Sequence, residues 1–265
     1  MVNEETSVDG ELTIEEGENI VEEVLSIELA PYILGIQKAI NTISTAVSLI
    51  PTMNLNDVSI SLKVVNSLLM KSINDLRVIW LLSTKGYSIQ AATVASSLYE
   101  SAFNLAYIGN SDSLARIWNN HNDTTNTPFG SIKKITSEAI KKQSPENFIS
   151  ISNVEYSKYS QLCMAKHANP INQKNHVYKY EEGTIIADSG PEASNHSIRV
   201  TCFSIVTSLG FIGYAIVSYV NEHLASYNTA ELVSEFDELG KYHTMLYDQF
   251  QAKWGIPNTL PEENI

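Results

Sequence analysis

The stretch DVSISLKVVNSLLMKSINDLRVIWLLSTKG, residues 57–86, decides the fold class. Val58, Leu62, Val65, Leu69, Ile73, Leu76 and Trp80 recur at steps of three and four, the spacing of one helix face packed along its length. Lys63, Lys71, Asp75 and Lys85 fall at other angles. Asn56 or Asp57 is the expected N-cap, and Gly86 the stop. At about 1.5 Å per residue this helix runs on the order of 45 Å, enough to act as a spine.

Working outward, 88–108 reads as a second helix rich in small residues: Ala91, Ala92, Ala95, Ser96, Ser97, Ser101 and Ala102. Small side chains let neighbouring helices approach, so this helix belongs at the centre. Helices over about 112–122, 128–143 and 145–167 follow, with Pro128 and Pro145 placed as first-turn prolines. Upstream, 18–29 carries Ile20, Val21, Val24, Leu25 and Leu29 on one side, and 32–49 lies between Pro31 and Pro51.

From Val200 to Asn221 no residue is charged, and about 20 apolar residues suffice to cross a bilayer. Thr201, Ser204, Thr207, Ser208, Gly210, Gly213 and Ser218 dilute the run, and no basic cluster flanks it, so it reads as a buried helix. A last amphipathic helix covers about 228–252. The only strand signal is Val177–Tyr180 and Thr184–Ile186 around Glu181, Glu182 and Gly183. The expected architecture is all-α: one bundle of about seven to nine helices over 18–255, with a short β-hairpin or ordered loop inserted at 169–194. An acidic disordered tail, 1–17, and a polar tail, 256–265, flank it.

The net charge of −13 is concentrated at one end. Ten of the 30 acids precede the first base, Lys38, which leaves 20 acids against 17 bases and a net −3 for the rest. No Lys/Arg cluster with interleaved aromatics offers a phosphate track, so there is no DNA signal. Cys163 and Cys202 make no disulfide framework, and no signal-peptide pattern opens the chain, so a cytoplasmic location without a membrane is expected.

Gly-rich phosphate loops, Cys-x-x-Cys, His-Glu-x-x-His and Gly-x-Ser-x-Gly are absent, and the six histidines pair with no Cys or His at ligand spacing. No cofactor and no metal are expected. Two polar groupings stand out on helices. Thr93, Ser97, Glu100 and Asn104 share one face; a buried Glu100 needs a partner, for which Arg77 or Lys85 on the preceding helix is the expectation. Tyr156, Ser160, Cys163 and His167 share another, ending at Asn169-Pro170, with His167 either a helix-terminal cap or an acid–base group. Glu100, Asn104 and His167 are the candidate catalytic residues; Arg77, Tyr156 and Asn169 the candidate binding residues. Cys163 reads more readily as a small core residue than as a nucleophile.

The run Leu76-Arg77, Trp80-Leu81-Leu82, Lys85-Gly86-Tyr87, Gln90-Ala91, Ser97-Leu98-Tyr99-Glu100 and Asn104–Ile108 resembles a family of uncharacterised bacterial helical proteins allied to HEPN domains. Tyr159–Leu162 and His167–Pro170 look like its second block, and the resemblance spans roughly 58–225. It implies a helical bundle, often dimeric, from phage-defence or toxin-antitoxin-type systems, where many members are RNases using an Arg and a following His with four to six residues between them. Here Ser160, Gln161 and Leu162 stand at the offsets where Arg is required. The resemblance therefore implies a degenerate RNase motif and action by association, as a homo-oligomer or with a partner protein. An active metal-independent RNase on His167, with RNA as partner, is the alternative, and a ligand-binding sensor a further one.

Overall fold

A computed structural model describes residues 13–51, 57–123, 127–167, 178–181, 184–187 and 190–255. Nine helices occupy the described residues: α1 Ile14–Glu28, α2 Ala30–Ser48, α3 Ile60–Thr84, α4 Ser88–Ile108, α5 Asp112–Asn119, α6 Ile132–Gln143, α7 Phe148–Lys166, α8 Asn195–His223 and α9 Ala230–Trp254. Between α7 and α8 one antiparallel hairpin pairs β1 Tyr178–Glu181 with β2 Thr184–Ala187, Tyr178 opposite Ala187. The chain is an all-α bundle, as the periodicity of residues 57–86 requires.

The helix ends show what the spacing alone misplaces. α1 begins at Ile14 rather than 18, because Thr13 and Glu16 form a reciprocal capping box: Glu16 N–H donates to Thr13 Oγ1 at 3.2 Å, and Thr13 N–H to Glu16 Oε2 at 2.8 Å. Residues 13–17 thus belong to the bundle and not to the acidic tail. α3 is capped by Ser59, whose hydroxyl accepts from Leu62 N–H at 3.1 Å, and not by Asp57; Asn56 lies outside the described residues. α6 starts four residues after Pro128, at a cap made by Ser131. α3 ends as Gly86 predicts, in a left-handed residue with φ +83°, and Tyr87 N–H closes back on Leu82 O at 2.8 Å.

α4 is the centre. It packs most extensively on α3 and α8, then on α7 and α6. Its small residues Ala91, Ala95, Ala102 and Ala106 are buried, and Tyr99 and Phe103 fill the space between them with Phe211 of α8. Each of these rings buries more apolar surface than the alanines around it and so contributes more to stability per residue. α8 is long and apolar enough to cross a membrane, with 67% of its most apolar window buried in the bundle. Its Ser204, Thr207 and Ser208 lie in the core, each hydroxyl donating to the carbonyl four residues earlier at 2.7 to 2.8 Å.

Candidate functional site

α7 and α6 lean on one flank of α4 and meet imperfectly. α7 is held by the stack of Tyr159 on Tyr99, with ring centroids 4.4 Å apart, and by buried Leu162. α6 is held by buried Ile135, Thr136, Ala139 and Ile140, and Thr136 Oγ1 shares a 2.6 Å hydrogen bond with Tyr99 Oη. Around the start of α6 lies a cleft of about 520 Å³. Trp118 of α5 and the turn through Gly130, φ +85°, complete the walls.

Glu100 and Asn104 form the α4 wall; Tyr156, Tyr159, Ser160, Cys163 and His167 form the α7 wall. The last two members of the α4 grouping therefore meet the α7 grouping across one space. Glu100 and His167, 67 positions apart in the chain, line one space.

Glu100 is anchored through a single oxygen. Tyr159 Oη donates to Oε1 at 2.8 Å, and Lys166 Nζ contacts the same atom at 3.1 Å. Burial, then contacts with Cys163 and the Glu100 carboxylate, push the Tyr159 hydroxyl far above its ordinary range, so it remains a proton donor to Glu100. Burial likewise raises the Cys163 thiol, partly offset by Tyr159 and Lys166. A raised thiol is a poor nucleophile at neutral pH, which agrees with a packing role.

Asn104 is 7% exposed. Its Nδ2 donates to the Glu100 backbone carbonyl at 2.7 Å, and its Oδ1 is buried with no hydrogen-bond partner. Exchanging the two amide atoms would set oxygen against oxygen, so the carbonyl of Glu100 fixes the orientation. The orphan is thus an acceptor on a residue that lines the cleft, the atom itself being shielded by its neighbours.

His167 closes α7 in extended geometry, its N–H donating to Cys163 O at 3.0 Å. It is a helix-terminal cap, and its exposed ring is at the cleft mouth. Tyr156 carries Lys133 Nζ 5.4 Å above its ring. Lys133 and Lys166 do not line the cleft but flank it, one over the Tyr156 ring and the other on the Glu100 carboxylate.

Two expectations need correction. Arg77 lies on the exposed face of α3, one residue round from buried Leu76, and is not the partner of Glu100. Lys85 pairs instead with Glu22 of α1 at 2.7 Å. The Thr93–Asn104 stripe also divides: Thr93 bonds back to Ile89 O, Ser97 receives Lys71 Nζ at 2.9 Å, and only its last two members reach the cleft. Asn169 lies outside the described residues. The residues the spacing overlooked are Lys166, Tyr159 and Trp118. Tyr159 shares the Tyr156–Cys163 face at steps of three and four and was legible there, whereas Trp118 reaches the cleft only through tertiary packing.

Among the described residues no three His, Cys, Asp or Glu side chains converge as a metal site. No family model, no curated protein and no solved structure matches the chain.

Proposed function

We propose that this chain is a ligand-binding helical protein whose working site is the cleft between α4, α6 and α7. One observation carries the reading: Asn104 Oδ1 is a buried acceptor without a partner on the wall of a small-molecule-sized space. An unsatisfied buried polar atom costs about 1–3 kcal/mol, and a donor brought by a ligand removes that cost on binding. The volume falls within the range of roughly 300–1,000 Å³ usual for small-molecule sites. The test is a thermal-shift screen of small metabolites on the wild type and on Asn104→Leu. Compounds that stabilise the wild type and not the variant support the reading; a full screen without a stabilising compound overturns it.

The HEPN-like placement, with a role in a bacterial defence or toxin-antitoxin-type system, is carried within this proposal. Its support is that Glu100 and Asn104 of the first block of resemblance, and Tyr159, Ser160 and His167 of the second, line the same cleft. Association with a second copy or a partner protein belongs to the same placement, and light scattering at high concentration tests it: a strict monomer speaks against self-association.

A second reading, a metal-independent RNase, is favoured by the presence of Glu100, Lys166 and His167 around one cleft. His167 would move the proton and Lys166 would steady the phosphate. The committed Lys166–Glu100 pair counts against it, since that cation is already neutralised. Cleavage of mixed RNA in chelator, lost in His167→Ala, would establish this reading over the first.

A further inference from the structure

We propose that the cleft selects a small, neutral, flat ring compound that donates one O–H or N–H hydrogen bond to Asn104 Oδ1. This rests on the ligand-binding reading above and deepens it by fixing the ligand's chemistry.

The demand for a donor follows from the amide. Nδ2 is spent on the Glu100 carbonyl, so Asn104 presents only an acceptor, and that acceptor is buried. A group without a proton leaves the amide unsatisfied and adds its own desolvation. A buried carboxylate or phosphate oxygen at this end of the ligand is therefore excluded.

The exclusion of a cation follows from the ions already in place. A lone carboxylate between aromatic walls would be an attractive seat for an ammonium or amidinium group. Here that seat is taken: Lys166 contacts Glu100 Oε1 at 3.1 Å, Tyr159 donates to the same atom, and Lys133 covers the Tyr156 ring at 5.4 Å. A cationic ligand would meet two lysines around a single acid and would have to displace one from its partner. Its binding would trade one ion pair or cation–π contact for another.

The demand for a flat ring follows from the walls. Trp118, Tyr156 and Tyr159 provide aromatic surface, and Ile132 and Ile135 an aliphatic floor at the first turns of α6. Offset or edge-on packing of a ring against such walls adds to plain area burial.

The experiment uses three probes that share a ring and differ in one group: 4-cresol, its methyl ether 4-methylanisole, and 4-methylbenzylamine, which is cationic at neutral pH. Binding to the full chain is read by the indole N–H of Trp118 and the side-chain amide of Asn104 in two-dimensional NMR. 4-Cresol should bind about tenfold tighter than either of the others, the worth of one hydrogen bond to an otherwise unpaired group. Asn104→Leu should erase its advantage over the ether while leaving the circular dichroism unchanged. Tyr156→Ala, a change on the open wall, should weaken 4-cresol and 4-methylanisole alike.

Preference for the amine would overturn the neutral class and make Glu100 the anchor, while leaving the cleft as a ligand site. Equal binding of cresol and its ether would overturn the donor requirement in the same way. If none of the three probes binds, the inference fails. The broader reading then falls with it only if the metabolite screen is also empty.

Discussion

The α8 core and the α4 flank handle buried polarity by the same device and finish differently. In α8, Ser204, Thr207 and Ser208 each turn a hydroxyl onto the carbonyl four residues back. A hydroxyl so used has spent its only proton, and its remaining lone pairs tolerate a packed environment. In α4, Asn104 does the same with Nδ2 on Glu100 O, but an amide also carries a carbonyl, and that carbonyl is left over. The three α8 hydroxyls are buried and satisfied; Asn104 is nearly as buried and keeps an unmet acceptor on a residue that lines the cleft. Burial alone does not mark a site, whereas incomplete satisfaction next to space does.

The closed side should break first and hardest. Phe211 is fully buried and meets both Tyr99 and Phe103, so Phe211→Ala should cost about 3–5 kcal/mol in denaturant unfolding. A loss below about 1 kcal/mol would mean that the aromatic cluster is not the packing centre. On the open side, Tyr159→Phe keeps the ring on Tyr99 and removes the hydroxyl that donates to Glu100 and also meets Cys163. It should cost about 1.5 kcal/mol, with Lys166 still in contact with the carboxylate. Asn104→Leu should cost less than about 1 kcal/mol or stabilise, because it deletes an unsatisfied acceptor of similar volume. If that variant is as damaging as Phe211→Ala, the difference between the two sides disappears.

The smallest expected effect is one of pH. His243 of α9 packs on Gly210 of α8, and burial, then Lys158, hold its pKa below the ordinary value, against a ring N–H donated to Val206 O. The folded state therefore resists a proton that the unfolded chain accepts near pH 6.5. Stability from this group is complete above the unfolded pKa and declines as pH falls below it. His223 shifts in the same direction, so His243→Gln should flatten part, not all, of the loss between about pH 7 and pH 5. An unchanged slope in that variant would remove His243 from the account.

Much of the bundle was legible because it depends on local rules. The 3–4 spacing of Val65, Leu69, Ile73 and Leu76 does mark a buried face, and α4 runs from Ser88 to Ile108 as its flanking Gly86 and Gly109 indicate. Starts were harder, since Thr13, Ser59 and Ser131 cap through local side-chain hydrogen bonds that periodicity does not register. The site was half legible. Two helix faces could be drawn from residue spacing, and both line the cleft, but which cation meets Glu100 depends on how α7 packs on α4. Sequence proximity of α3 to α4 pointed to Arg77 or Lys85; the fold brings Lys166, 66 positions away, instead. Nothing in the spacing announces Asn104 Oδ1 as unpaired, because that is a statement about what surrounds it.

The central claim, that this acceptor marks a binding site, is tested most directly by following Asn104 itself. In a titration with 4-cresol, the side-chain amide of Asn104 and the indole N–H of Trp118 should shift together and saturate at one shared dissociation constant. Shifts confined to some other surface, with both of these signals unmoved at saturating probe, would contradict it.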